Sequence, residues 1–148
     1  MASVLLTGVD LARGVCRHLT DRGVACLTEF VPQRGLRTDV TGLDKKGEVW
    51  VVECKSGLPD YRSDQKWRHY LDWCDRYFWA VTGDFPEDVL PEETGLIRAD
   101  AYDAEIVREA PLTPLAPARR RALTLRFARV AALRTHGSLE APADIAGW

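Results

Sequence analysis

The amino-acid sequence predicts an α/β (α+β) fold. Its core runs α-β-β-β-α-β, with a mixed central sheet flanked by helices, and a C-terminal hairpin and helix follow. Three observations predict it. Residues 9 to 21 carry apolar side chains at helical spacing ahead of any strand signal, and residues 36 to 55 read as a β-hairpin. A second helical stripe then leads into an aromatic run at 76 to 82. A helix, a hairpin and a crossover to another strand make a mixed sheet with helices on its faces.

Taken in order, Val9, Ala12, Val15, Cys16 and Leu19 form the inward stripe of the first helix, and Gly23 is placed to end it. VACLTEFV (24–31) is a strand that Pro32 closes. LRTDVTGL (36–43) alternates Leu36, Thr38 and Val40 against Arg37, Asp39 and Thr41, DKKG (44–47) turns, and EVWVVECK (48–55) returns. Beyond SGLPDYR, Ser63 or Asp64 can cap a helix running to about Asp75, with Trp67, Tyr70, Leu71 and Cys74 on one stripe. RYFWAVT (76–82) is a buried strand. Pro86 and Pro91 bracket a turn or single helical turn, and GLIRAD and AEIVREA make a closing strand pair around Asp100 to Asp103. A proline-rich linker then leads to a helix over 117–136 with Leu123, Phe127, Val130 and Ala131 inward.

A chain of 148 residues reads as one domain, 1–148, with its core at 8–109. The 46% hydrophobic and 28% charged composition is that of a soluble globular protein. No apolar stretch reaches the ~18 residues of a membrane span, and the N-terminus has a short apolar patch without a basic segment, so a cytoplasmic location is expected. Cys16, Cys26, Cys54 and Cys74 have no metal-clamp spacing and read as reduced core residues. The net charge is −2, but its distribution is uneven. Between Ala110 and Leu139 there is no acid, while Arg119, Arg120, Arg121, Arg126, Arg129 and Arg134 supply +6. The body, residues 1 to 109, is left at −6 once Glu140 and Asp144 are counted. A basic helix of this kind is an electrostatic footprint for phosphates.

The hairpin carries the chemistry. Glu53 and Lys55 share one strand face about 7 Å apart, while Trp50, Val52 and Cys54 fill the other. A turn at 44–47 pairs residue i with about 91 − i or 92 − i, which brings Asp39 opposite position 52 or 53. Two converging carboxylates repel unless a cation lies between them or one is protonated. Hard oxygen donors with open positions suit Mg²⁺ or Mn²⁺, and the Cys54 carbonyl is a third candidate donor. Lys55 can position a water or meet charge developing on a phosphate.

Asp39, thirteen intervening residues, then Glu53-Cys54-Lys55 resembles the PD-(D/E)xK nuclease signature, with Thr38 where the usual proline would stand. The stretches RTDV, ECKSG and SDQKWRHYLDWCDRYFWAV look like the small bacterial MmcB-type DNA-repair proteins of that superfamily, over about residues 10 to 109. The resemblance implies a restriction-endonuclease-like core and a Mg²⁺- or Mn²⁺-dependent DNA nuclease acting in repair. It implies Asp39 and Glu53 as metal ligands with Lys55 as the catalytic lysine, and Glu29 as an additional acid toward the metal. Gln65 and Lys66 match the region where relatives place a residue that touches phosphate or supports the lysine.

A cross-strand ion pair on a solvated face would also account for Asp39, Glu53 and Lys55, but Val49 and Val51 are apolar where such a face would be polar. Trp67, Trp73, Trp79, Tyr70 and Tyr77 read as core, and His18 and His69 as helix-surface residues, with His69 nearer the cleft. Arg37 and Arg62, with Arg34, are candidates for DNA-backbone contacts, alongside Lys66 and the Arg119–Arg120–Arg121 run. Two other functions stay open: a catalytically silent DNA-structure-binding module, and a protein-interaction adaptor with a repair-protein partner. One active site cuts one strand, so cutting both would call for a homodimer.

Overall fold

A computed structural model describes residues 5–140 of the chain; the first four residues of the N-terminal apolar patch, and Asp144, lie outside them. Helix α1 (Gly8–Asp21) opens with a capping box: Asp10 N–H donates to Thr7 Oγ1, and the Asp10 carboxylate accepts from Thr7 N–H. Then come strands β1 (Ala25–Thr28), β2 (Val40–Leu43) and β3 (Val49–Lys55). A short helix α2 (Leu58–Ser63) and a 3₁₀ segment (Trp67–Trp73) cross over to β4 (Arg76–Val81). β5 (Gly95–Ala99), β6 (Ala104–Arg108) and the long helix α3 (Pro117–Glu140) complete the described chain.

The six strands form one mixed sheet in the order β1-β2-β3-β4-β5-β6. β1, β2 and β3 are antiparallel neighbours, β3, β4 and β5 run parallel, and β6 returns antiparallel. All seven residues of β3 are buried, so its central position is covered on both faces. On one face Trp50, Val52 and Cys54 pack with Phe78, Ile97 and the α1 stripe Leu11, Val15 and Leu19. On the other, Val49 and Val51 meet Trp67, Tyr70, Tyr77, Trp79 and the α3 residues Leu123 and Phe127. Of the aromatic residues read as core, Trp67, Tyr70, Tyr77 and Trp79 are buried, while Trp73 is partly buried against them. Gly14 lets α1 reach the β5–β6 turn, because a Cβ there would stand 2.0 Å from the Asp100 carbonyl oxygen.

The crossover departs from the sequence reading. The sequence predicts one helix from Ser63 or Asp64 to about Asp75; the chain instead forms α2 earlier, with Pro59 in its first turn, and breaks at Asp64. There the Asp64 backbone is extended, Oδ1 accepts from Lys66 N–H at 2.9 Å, and Oδ2 is held by Lys55. The 3₁₀ segment that follows has three residues per turn, so Trp67, Tyr70 and Trp73 share its inner face and Leu71 is left 40% exposed. The first strand is also shorter than 24–31, ending at Thr28, and Glu29 stands beyond it at φ +52°. The hairpin's first arm pairs from Val40 rather than Leu36.

α3 is tied to the sheet by a buried acid that sequence reading passed over. Asp75 is 1% exposed. Its carboxylate accepts from Val49 N–H at 2.7 Å, from Leu115 N–H at 2.8 Å and from both terminal nitrogens of Arg120. Among the described residues no helix is long and apolar enough to cross a membrane.

Candidate active site

The open end of the β2–β3 hairpin faces a cleft of about 680 Å³. Register determines what stands there: Val40 pairs with Val52, so Asp39 and Glu53 come opposite one another just where the ladder stops. Two crossed hydrogen bonds replace the ladder. Asp39 N–H donates to Glu53 Oε2 at 2.8 Å, and Cys54 N–H donates to Asp39 Oδ2 at 2.8 Å. Each carboxylate is thus fixed through one oxygen. Asp39 Oδ1 and Glu53 Oε1 accept no hydrogen bond from the described residues.

Glu53 is 4% exposed, and burial, followed by the charge of Asp39, pushes its carboxyl up to about 8. Burial also raises Asp39, against the Cys54 N–H and the Lys55 charge that favour its ionised form. The sign of the stability effect follows. A folded-state pKa above the unfolded one means that the native state holds the extra proton between about pH 4.5 and pH 8. The metal-free protein should therefore lose stability as pH rises through that window. Thermal melts in chelator from pH 5 to 9 should show Tm falling, and Glu53→Gln should flatten the fall.

Lys55 lies on the same face of β3, and its Nζ stands 2.8 Å from Asp64 Oδ2. Burial works against the ammonium, but the hydrogen bond and charge of Asp64 outweigh it and hold Lys55 above the ordinary 10.5. Asp64 was not recognised from sequence except as a helix cap, and Asp60, also on the cleft wall, was not recognised at all. Both follow the E-C-K triplet closely, Asp60 within α2 and Asp64 just past its end, and that proximity is the signal that could have found them. Tyr70, read as core stripe, is a wall residue too; its hydroxyl donates to the Arg37 carbonyl at 2.8 Å and fixes the segment leading to Asp39.

Of the residues selected from sequence, Glu29, Arg37, Asp39, Glu53, Cys54, Lys55, Gln65 and Lys66 all line this cleft. Arg62 is exposed in the last turn of α2 and is not among the lining residues, nor is the exposed His69. The cleft wall holds five carboxylates, from Glu29, Asp39, Glu53, Asp60 and Asp64, against three cations, from Arg37, Lys55 and Lys66. A phosphate would meet net repulsion there unless a divalent cation entered with it.

Among the described residues no group of three His, Cys, Asp or Glu side chains converges as a metal cage. The donors available are fewer and of a different kind. A strand residue's N–H and C=O point to the same edge. Cys54 N–H reaches Asp39, so the Cys54 carbonyl faces the same opening. With the free oxygens of Asp39 and Glu53 it makes an all-oxygen set, leaving positions for water and phosphate, which fits a hard divalent ion.

The family model for DNA repair proteins described as MmcB-like matches residues 6–142. The chain belongs to the MmcB-like DNA repair protein family. It is also similar to a solved structure, a protein of unknown function from Silicibacter pomeroyi. That chain is 52% identical, with 99% of this chain and 100% of that one covered and a TM-score of 0.88. Among curated proteins no match was found.

In this MmcB-like chain the basic helix meets the sheet unevenly. Arg119, Arg120 and Arg121 lie by Gly47 and Asp75, at the end of the parallel strands away from Glu53. Arg120 is committed to Asp75 and to the Gly47 carbonyl at 2.8 Å. Arg119 donates to the Asp72 carbonyl at 3.0 Å and stacks on Trp73, and Arg121 is exposed. Arg134, read from sequence as one of six arginines on the basic helix, meets the cleft rim at Glu29. It donates to the carbonyls of Thr28 at 2.6 Å and Glu29 at 3.2 Å, bracing the left-handed residue at the rim.

Proposed function

We propose that this DNA-repair-family protein is a Mg²⁺- or Mn²⁺-dependent DNA nuclease hydrolysing phosphodiester bonds. The observation that carries the reading is the crossed Asp39–Glu53 pair, each carboxylate fixed through one oxygen and free at the other, with Lys55 alongside in a cleft. The resemblance of Asp39…Glu53-Cys54-Lys55 to the PD-(D/E)xK signature supports it. Asp39, Glu53 and the Cys54 carbonyl would hold the ion. When bound, such an ion polarises the phosphodiester and lowers the pKa of a water. Lys55 stays cationic at working pH, because Asp64 holds its pKa above 10.5, so it stabilises charge on the phosphate rather than taking a proton. Glu29, at the rim, would act through water, and Arg37, Gln65 and Lys66, which line the same cleft, would hold the flanking backbone.

Calorimetric titration of Mn²⁺ is the first test. Wild-type protein should bind Mn²⁺ and Asp39→Ala should not, while both melt cooperatively. Cutting of duplex, nicked, flapped or branched DNA should need the ion and vanish in Asp39→Ala. Absence of both Mn²⁺ binding and cutting in the wild type would overturn the reading. Two observations favour a second reading, a DNA-binding module without catalysis: Lys55 is already engaged by Asp64, and among the described residues no third acidic, His or Cys side chain joins Asp39 and Glu53. That reading predicts DNA affinity that survives Lys55→Met and no cutting by any form.

A further inference from the structure

The cleft does not end at Asp39. A second groove of about 480 Å³ adjoins it, and the two share Gly8, Val9, Glu29 and Asp39. Their chemistry differs. The cleft is walled by carboxylates and cations, whereas the groove has an α1 wall of Val9, Ala12 and Cys16 flanked by Arg13 and Arg17, facing Thr28, Glu29 and Asp39. Arg13 and Arg17 are four residues apart, so both heads project from the same side of the helix. Arg17 has no ion pair among the described residues, and Arg13 has only a 3.9 Å contact with Asp10 on an exposed surface. Val9 is 66% exposed, an apolar side chain presented to whatever lies between the two cavities.

We propose that this groove seats an unpaired nucleotide of the DNA strand next to the scissile phosphate, its base on the Val9–Ala12–Cys16 wall and its backbone phosphate against Arg13 and Arg17. The proposal rests on the nuclease reading and adds to it a substrate class: DNA single-stranded at the point of cutting. The groove is large enough for a small ligand. Because the two share a wall, the simplest occupant is continuous with whatever lies in the cleft and carries negative charge toward Arg13 and Arg17. A nucleotide of the same strand meets both conditions. In a duplex the neighbouring base is turned inward and stacked, so an apolar seat beside the phosphate favours only a base already free of its partner.

The test uses the full chain and a short labelled DNA single strand, with Ca²⁺ replacing Mg²⁺ so that binding is read without cutting. Arg13→Ala/Arg17→Ala should raise Kd about tenfold and reduce the slope of log K against log[salt] by about 0.7, the value for one single-strand phosphate. Saturating strand should also slow alkylation of Cys16, read by peptide mass spectrometry, and blunt duplex of the same sequence should not. Unchanged Kd and slope in the double variant, with Cys16 alkylated at its free rate, would overturn the seat. In that event loss of binding in Lys66→Ala and Arg37→Ala would leave the nuclease reading standing. A duplex that binds as tightly as the strand and protects Cys16 equally would overturn the single-strand assignment. No DNA binding by the wild type would remove both readings together.

Discussion

Lys55→Met should lower the rate constant of DNA cleavage by about 10²–10³-fold while Mn²⁺ affinity stays within a few-fold of wild type. The split follows from where the residue stands. Lys55 extends from β3 two positions past Glu53, on the same face, and its ammonium is turned to Asp64 rather than to the oxygens left free for an ion. Removing it takes away a fixed positive charge near the phosphate and leaves the ion's donors intact. Asp39→Ala, by contrast, should abolish ion binding and cutting together. Asp64 has an 11% exposed side chain and would lose its partner in Lys55→Met, at some cost in stability. Lys55→Met/Asp64→Asn removes that orphaned charge and should recover the melting temperature without recovering cleavage. Cutting by Lys55→Met within about threefold of wild type would rule out the role given to the ammonium. Single-turnover rates at saturating Mn²⁺, with a parallel calorimetric titration, separate these outcomes.

Much of this site was legible in the sequence because a hairpin converts local information into geometry. DKKG between two apolar runs locates the turn, strand alternation assigns the faces, and Asp39 then falls opposite Glu53 without any long-range knowledge. The unbroken burial of β3 was equally readable from its valines. Legibility stopped where the outcome depended on side chains far apart in sequence. Helix periodicity across 63 to 75 gave one helix, but the bond from Lys55 to Asp64 holds position 64 extended and shifts the aromatic residues to a three-residue repeat. The strand carrying Glu29 ends early, and Arg134, more than a hundred residues downstream, caps its last carbonyls. No local pattern encodes either contact.

The same limit explains the arginine run. Read as a charge cluster, Arg119, Arg120 and Arg121 form a phosphate footprint; in the fold, one of them is half of an ion pair with an acid buried at 1% exposure. Substituting all three with Glu would therefore bring a carboxylate against Asp75 and report on folding as much as on DNA. Arg121→Glu alone avoids that conflict, because Arg121 is exposed.

Asp75→Ala should destabilise the protein by about 3–5 kcal/mol, because it leaves the Val49 and Leu115 N–H groups without an acceptor, at ~1–3 kcal/mol each, and takes the carboxylate from the partly exposed Arg120. For a chain of this length that lowers Tm by roughly 10 °C or more. The residue joins three parts of the fold: Val49 N–H at the start of β3, Leu115 N–H in the linker, and the Arg120 guanidinium at the start of α3. Its own backbone carbonyl takes Thr113 N–H at 2.8 Å, so the linker is held twice. Arg120→Ala should cost less, because Asp75 keeps its two backbone donors, and the double variant should fall well short of the sum of the singles. pH gives an independent check. Burial favours the neutral acid, but Arg120 and the two backbone N–H groups outweigh it and hold Asp75 below the ordinary 3.8. A depressed native pKa contributes stability that is present above the unfolded value and lost as pH falls below it. Wild-type protein should therefore lose stability between about pH 4 and pH 2, and Asp75→Ala should lose less over the same range. Urea midpoints at pH 7 and pH 3 for wild type, both single variants and the double variant measure each of these quantities. Equal costs for Asp75→Ala and Arg120→Ala would show that the acid acts only through the arginine and that its bonds to Val49 and Leu115 contribute nothing.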